Sequence, residues 1–147
     1  SFNFVIQNLF FYTDMEERRY TLTKAERLCS KKLIERLFSG GNNSFPAFPL
    51  RVVYMWISSE EGTADVSMMV SVPKKRFKHA IDRNRVKRQV REAYRLNKHV
   101  LLDSLKASNE NRRLILAFIW LDNQLHSTSE INYKVKKLLN HIAEGIK

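Results

Sequence analysis

The residues best suited to do chemistry in this chain are concentrated in one basic stretch, from Lys74 to Lys98. That stretch contains 11 lysine and arginine residues, opposed only by Asp82 and Glu92. It therefore carries nine of the eleven net positive charges of the 147-residue chain, and the other residues are close to neutral together. Basic side chains at this density bind polyanions, because arginine forms paired hydrogen bonds with phosphate and lysine adds a compact charge.

The basic stretch also has the periodicity of an amphipathic helix over residues 79–102. At about 100° per residue, one side of this helix is apolar: Val86, Val90, Ala93 and Leu101. The opposite side and its borders are basic or polar: Asn84, Lys87, Arg88, Arg91, Arg95 and Lys98. A solvated face or a membrane-surface helix would also be basic, but the first usually includes glutamates and the second aromatic anchors. The pattern therefore favours nucleic acid as the partner.

The remaining titratable residues predict no catalytic site and no metal site within the protein. The four histidines are scattered along the chain, and Cys29 is the only cysteine. Asp82 and Glu92 lie about 80° apart on the predicted helix, so they do not converge on one ion. A protein nuclease would need clustered carboxylates or a histidine-based acid and base.

Periodicity along the chain predicts an α+β fold, a two-layer sandwich with helices on a mixed sheet. A first helix carries an apolar stripe up to Phe38 and begins either at a Thr23–Glu26 capping box or at Ser30. Residues 42–49 are expected to be a loop. Three strands are expected from their β-branched and aromatic content: Leu50–Ile57, Asp65–Val72 and Arg113–Leu121. A last helix begins near Ser127 and ends near Gly145.

Two regions of unequal size follow from these patterns. Residues 1–20 are expected to be an N-terminal extension, because the first twelve are aromatic-rich and poor in polar residues. They could be an edge strand or helix, or could precede an alternative start at Met15. Residues 21–147 form the predicted nucleic-acid-binding domain. No apolar run approaches the roughly 20 residues of a membrane span, and we expect a cytoplasmic protein.

The basic helix contains a motif that resembles a known family. Arg83-Asn84-Arg85, followed by Val86-Lys87-Arg88 and Arg91, resembles the signature helix of the bacterial ribonuclease P protein subunit. Val70-Ser71-Val72-Pro73-Lys74-Lys75 resembles the strand and lysine pair that precede it in that family. The resemblance covers about residues 22–143, in the same order and at similar separations.

This resemblance implies a fold and a function. The fold would be that of the second domain of ribosomal protein S5, with three main helices and a left-handed β-α-β crossover, whereas general chain handedness favours a right-handed one. The protein would pair with the catalytic ribonuclease P RNA and help it remove the 5′ leader of precursor tRNA. The RNA would perform the endonucleolytic chemistry with Mg²⁺ bound mainly by RNA, and neither DNA nor membrane would be a partner.

The resemblance also implies two sets of site residues. The set facing the catalytic RNA comprises Lys74, Lys75, Arg76, Lys78, Arg83, Asn84, Arg85, Lys87, Arg88, Arg91 and Arg95. The set lining a cleft for the single-stranded leader comprises Ile34, Phe38, Val52 and Tyr54, with Ile34 standing where the family often has phenylalanine. The alternatives are a non-catalytic or ribosome-associated RNA-binding module on the same fold, and a membrane-surface protein.

Overall fold

The computed structural model describes residues 21–61, 64–108 and 110–146, so the predicted N-terminal extension lies outside the described residues. A 3-10 turn at Lys24–Glu26 leads into the helices and strands. The helices are α1 (Lys31–Phe38), α2 (Ala80–Asn97), α3 (His99–Ala107) and α4 (Thr128–Glu144). The strands are β1 (Asn43–Ala47), β2 (Leu50–Ser58), β3 (Val66–Ser71) and β4 (Arg112–Trp120).

The four strands form one mixed sheet in the order β1-β2-β4-β3. β2 is antiparallel to both of its neighbours, with Val52 opposite Phe118 of β4. β3 runs parallel to β4, and α2 and α3 form the crossover between these two parallel strands. Antiparallel neighbours can be joined by short turns, whereas parallel neighbours need such a crossover. The predicted α+β class and mixed sheet are confirmed.

Successive side chains of a strand point to opposite faces of the sheet, so each face has its own core. On one face, called here the helical face, the even-numbered residues of β2 and β4 pack under α2, α3 and α4. Leu50, Val52 and Phe118 are fully buried there. The other face, called here the α1 face, packs Leu33 and Leu37 of α1 onto Ile57, Ile115 and Ala117.

One predicted loop contains a strand. Residues 42–49 were expected to lack periodic structure, but β1 occupies Asn43–Ala47 and pairs with β2. Pro46 lies opposite Arg51 in this pairing, on a strand at the edge of the sheet. Proline is tolerated at an edge because its missing N–H faces outward. The prediction was wrong because asparagine, serine and proline disfavour interior strands and say little about edges.

The long basic helix is interrupted once. Helix was predicted over residues 79–102, but α2 ends at Asn97 and α3 begins at His99. The Asn97 amide donates to the Ala93 carbonyl at 2.8 Å and to Asn132 Oδ1 of α4 at 2.8 Å. Lys98, between the two helices, points into the protein. These tertiary contacts end α2 at Asn97, although the apolar periodicity of the sequence continues beyond that residue.

Both predicted starts of the first helix exist, at different elements. Ser30 caps α1, because its hydroxyl accepts a hydrogen bond from the Leu33 amide at 3.3 Å. The Glu26 carboxylate accepts a hydrogen bond from the Thr23 amide at 3.1 Å, and this contact belongs to the preceding 3-10 turn. Residues Arg27 and Leu28 then run beside β3, where the Leu28 amide donates to the Met68 carbonyl.

Candidate nucleic-acid interface

Helix α2 separates an apolar side from a basic side. Its buried residues pack into the core of the helical face: Val86, Val90, Ala93 and Tyr94. Its opposite side, called here the α2 ridge, faces solvent and carries mainly basic and polar residues: Asn84, Arg85, Arg88, Arg91 and Arg95. The predicted gathering of cationic side chains on one outward stripe of this helix is therefore present.

Seven of the predicted cationic residues have charges available to a partner: Lys74, Lys75, Lys78, Arg85, Lys87, Arg88 and Arg91. Among the described residues, none of these seven forms an ion pair with an acidic side chain. Six are exposed, and Lys87 is half-buried at the border of the ridge. Three of the seven lie in or next to the turn that follows β3, beside the start of α2.

The other predicted cations already have partners within the protein. The Arg83 guanidinium donates to the Phe77 carbonyl at 2.7 Å, and Arg76 donates to Asn123 Oδ1 at 3.4 Å. Arg95 is paired with Glu92, and its hydrogen bond lowers the pKa of that carboxyl. These arginines stabilise the surface on which the exposed cations stand.

Lys98 is a correction to the predicted ridge. Its side chain is only 2% exposed, and its Nζ lies 2.8 Å from Glu26 Oε2. The same ammonium group also donates to the Thr21 carbonyl. A buried charge needs such partners, because transfer out of water disfavours an unpaired ion. The helical projection failed here because α2 ends one residue before Lys98.

A groove of about 560 Å³ separates the α2 ridge from the start of α4. Ile81, Arg85 and Arg88 line one side, and Thr128 lies at the other. Gln89 fixes this spacing, because its amide donates to Thr128 Oγ1 at 3.0 Å and to the His126 carbonyl at 3.3 Å. Ile81 is 75% exposed, so the ridge begins with an apolar side chain that the charge pattern did not single out.

His126 orders the loop that enters α4. Its Nε2 lies 2.6 Å from Asp122 Oδ2, and its Nδ1 lies 2.9 Å from Glu130 Oε2. Burial disfavours the imidazolium, but the hydrogen bonds to Asp122 and Glu130 outweigh it and raise the pKa of His126. Both ring nitrogens can donate at once only in the protonated form. The imidazole therefore joins the loop to the first turn of α4, and the His126 carbonyl joins the loop to Gln89 of α2.

The α1 face forms a second candidate surface, of apolar character. Ile34 of α1 and Val53, Met55 and Met69 of the sheet pack against the core of the α1 face, and all four are half-buried. Phe38, one turn after Ile34, is 45% exposed. We call these five residues the α1 cleft. A short helix covers only part of this face, so apolar surface remains accessible beside it.

Two residues of the predicted cleft lie on the other side of the sheet. Val52 is fully buried in the core of the helical face, and Tyr54 packs against that same core. Neither can line a cleft with Ile34 and Phe38. Because side chains alternate along a strand, an error of one residue in register moves a side chain to the opposite face. The residues of β2 that face the α1 cleft are Val53 and Met55. They were not predicted, although side chains alternate along a strand and these two therefore face opposite to Val52 and Tyr54.

The described residues do not fit a metal ion held by the protein. No group of three histidine, cysteine, aspartate or glutamate side chains comes close enough within them to hold one. Asp82 and Glu92 line the same groove, but Arg85 and Arg88 line it too. No helix in the described part of the chain combines the length and apolar character needed to cross a membrane.

Two bacterial proteins of solved structure share this architecture. A mutant RNase P protein of Staphylococcus aureus with defective mRNA degradation activity matches 91% of this chain and 96% of its own, with a TM-score of 0.61 at 20% identity. The RNase P protein of Thermotoga maritima matches 83% and 98%, with a TM-score of 0.53 at 21% identity. This fold defines a small protein of the α+β class, and the α2 ridge gives it a surface suited to polyanions.

Sequence similarity then specifies the family. Residues 22–143 match the family model described as Ribonuclease P. The ribonuclease P protein component of Porphyromonas gingivalis is 43% identical over 129 residues, which are 86% of this chain and 90% of that protein. The corresponding protein of Chlorobaculum tepidum is 31% identical over 135 residues, 86% and 88% of the two chains. The chain belongs to the ribonuclease P protein family.

Family membership settles the broad activity. The chain is the protein subunit of a ribonucleoprotein endonuclease that matures the 5′ end of tRNA, and the RNA subunit performs the catalysis. The family, fold and function predicted from the Arg-Asn-Arg helix are confirmed.

Proposed function

We propose that the protein uses two separate surfaces, the α2 ridge for the catalytic RNA and the α1 cleft for the 5′ leader of precursor tRNA. The observation that carries this proposal is the separation of the two surfaces. Exposed cations lie on the solvent side of α2 and in the turn before it, and accessible apolar side chains lie on the α1 face of the sheet. Each surface suits a different kind of RNA.

The α2 ridge suits folded RNA. Arg85, Arg88 and Arg91 recur at helical spacing along one exposed stripe, and Lys74 and Lys75 extend it beyond the start of α2. Folded RNA presents phosphates on a rigid backbone, and each contact releases counterions. Asn84 adds an amide that can bond sugar or base edges. Binding through this ridge neutralises phosphates and positions the RNA.

The α1 cleft suits a single strand. Phe38 offers an exposed aromatic ring, and Val53, Met55 and Met69 add half-buried apolar side chains on the face of the sheet that α1 covers. Unpaired bases stack on such surfaces with little sequence preference, at about 1–3 kcal/mol per base. Leaders of different sequence are therefore accommodated, which suits an enzyme that processes many precursors.

The proposal leaves Mg²⁺ to the RNA. The described carboxylates do not form a site for it, and the basic surface would repel a cation. In this arrangement the protein residues bind and orient RNA and lower phosphate repulsion, and none takes part in hydrolysis. A cytoplasmic location is part of the same proposal, because it is where bacterial precursor tRNA is found.

Reconstitution of the holoenzyme tests the proposed function. Cleavage of precursor tRNA at low Mg²⁺ should require both the cognate RNA and this protein. Arg88→Ala should weaken binding of the catalytic RNA and lower its salt dependence by about one unit of slope. Phe38→Ala should spare that binding and weaken the affinity of the holoenzyme for long-leader precursors by about five-fold or more.

Matched substrates separate the two surfaces. A precursor with a one-nucleotide leader should be bound equally well by the Phe38→Ala and unsubstituted holoenzymes, because it does not reach the cleft. If Arg88→Ala and Phe38→Ala changed the same binding step to the same extent, the assignment of two surfaces would be wrong. Absence of stimulation by the protein in reconstituted cleavage would support an RNA-binding module without a role in the enzyme.

A further inference from the structure

We propose that the outward side of α4, with the neighbouring part of β1, is a second contact surface for the catalytic RNA. We call it the α4 patch, and its residues are Phe45, Tyr133, Lys136, Lys137, Asn140, His141 and Glu144. It rests on the proposed function, because it assumes that the catalytic RNA docks on the helical side of the protein. Neither the basic block nor the family motif includes any of these residues.

The patch is the outward stripe of an amphipathic helix. The inward stripe of α4 is fully or almost fully buried in the core of the helical face: Ile131, Val135, Leu138, Leu139 and Ile142. Tyr133, Lys136 and Lys137 stand on the opposite side and are exposed. Together with Phe45 of the edge strand they line a depression of about 480 Å³.

Aromatic rings dominate this depression. Tyr133 is 61% exposed, and Lys134 Nζ lies 5.9 Å from the centre of its ring. Beside it, the rings of Phe45 and His141 stack with centroids 3.5 Å apart and planes 4° apart. A face that needed only solubility would not expose a tyrosine next to a stacked ring pair. Flat rings beside cations are the surfaces on which unpaired bases stack.

The charge of α4 complements RNA. α4 carries three lysines against two glutamates, and the glutamates stand near its two ends, Glu130 in the first turn and Glu144 as the last residue, where it lines the depression. Glu130 itself is engaged with His126, since its Oε2 lies 2.9 Å from Nδ1 of that ring. The amide of Asn140 adds a group that bonds sugar or base edges. The patch thus combines the cationic and aromatic groups that bind single-stranded nucleic acid.

Position favours the catalytic RNA over the precursor leader as the occupant. α4 packs beside α2 on the same face of the sheet, and Gln89–Thr128 and Asn97–Asn132 hydrogen bonds join the two helices. Packed helices lie about 8–10 Å apart, so an RNA bound on the α2 ridge can extend across α4 to the α4 patch. The α1 cleft proposed for the leader is on the opposite face of the sheet.

Binding of the full-length protein to the catalytic RNA tests this proposal. Lys136→Ala/Lys137→Ala should reduce the salt dependence by about 0.7 units of slope for each lysine that contacts a phosphate of a single strand. Tyr133→Ala should weaken binding by at least about five-fold, and Tyr133→Phe should retain most of the affinity because the ring remains. Circular dichroism and thermal melting should show that these surface variants remain folded.

Two control variants make the outcomes distinct. Lys106→Ala removes an exposed lysine from α3 and should leave both affinity and salt dependence unchanged. Arg88→Ala tests the α2 ridge in the same assay. If Arg88→Ala weakens binding and the α4 variants do not, the α4 patch is refuted while the proposed function stands. If neither Arg88→Ala nor the α4 variants weaken binding of the catalytic RNA, the proposed function itself is wrong, and the α4 patch with it.

A protein partner would give a different pattern. If the α4 patch instead joined two copies of this chain, sedimentation of the free protein would show a dimer that Tyr133→Ala dissociates. Unchanged affinity of that variant for the catalytic RNA would then overturn the proposal. Retained monomer mass together with weaker RNA binding would support it.

Discussion

The helical face and the α1 face of the sheet differ in how completely their helices cover them. α2, α3 and α4 bury most of the side chains beneath them, with Tyr54 and Trp56 half-buried, and present their charges on the far side. On the other face the eight-residue α1 leaves Val53, Met55 and Met69 half-buried. Extensive cover by three helices gives a rigid platform for charge, and partial cover by one short helix gives accessible apolar surface. One small sheet can therefore offer two chemically different surfaces without a second domain.

The contact that joins the two regions should give the largest effect. Glu26 precedes α1 and its carboxylate pairs with Lys98, which follows α2. Glu26→Ala should lower the free energy of unfolding by about 3–5 kcal/mol, because it leaves a buried ammonium without its carboxylate partner. Urea unfolding followed by circular dichroism measures this change.

A matched carboxylate provides the control for the buried pair. Glu35→Ala removes an exposed acid from α1 and should change stability by no more than about 0.5 kcal/mol. Glu26→Leu/Lys98→Met should recover most of the loss, since the buried charge is then gone. Equal costs for the Glu26→Ala and Glu35→Ala substitutions would mean that the two regions are not coupled through this pair.

Two adjacent valines test which face each belongs to. Val52→Ala should destabilise the protein by about 2 kcal/mol, because it removes two carbon atoms from the core of the helical face. Val53→Ala should cost less, since Val53 is half-buried, but should weaken binding of long-leader precursors. Chemical unfolding and leader-length series distinguish them. A selective effect of Val52→Ala on leader binding would contradict the assignment of faces.

Arg83 and Arg85 belong to one motif, but their substitutions should have different effects on RNA binding and on stability. Arg85→Ala should reduce the salt dependence of catalytic-RNA binding by about one unit of slope, since the side chain is exposed. Arg83→Ala should change that slope little but lower stability by about 1 kcal/mol, because it removes the hydrogen bond to the Phe77 carbonyl. Filter binding over a range of salt, with thermal melting, separates the effects. Equal slopes for both variants would place Arg83 among the phosphate contacts.

The smallest expected effect is a pH dependence of stability that comes from His126, in the loop before α4. The pKa of His126 is raised in the folded protein, so its stabilising contribution is fully present below about pH 6.5 and is lost as the pH rises through the raised value. His126→Gln should flatten the melting temperature over that range. His79→Gln is the control, because His79 is exposed. An unchanged pH profile in His126→Gln would show that its carboxylate contacts do not stabilise the loop.

The surfaces differ also in how far sequence alone could predict them. The α2 ridge was predictable because charge type and helical spacing are both properties of one continuous segment. The burial of Lys98 was not predictable, because its partner Glu26 is 72 positions away in the sequence. The α1 cleft required knowledge of which strand residues face α1, and apolar side chains run along both sides of β2. Val52 and Val53 are chemically identical, so only the register of β2 with its neighbours distinguishes them.

Arg83 preorganises part of the basic surface for RNA binding. Its guanidinium lies 2.7 Å from the carbonyl of Phe77 and so joins α2 to the turn that carries Lys74 and Lys75. Fixing the backbone of a flexible residue costs about 1–2 kcal/mol of conformational entropy. This turn is already ordered in the free protein, so RNA binding does not have to offset the conformational entropy of ordering it. A larger part of the interaction between each lysine and the RNA therefore contributes to affinity.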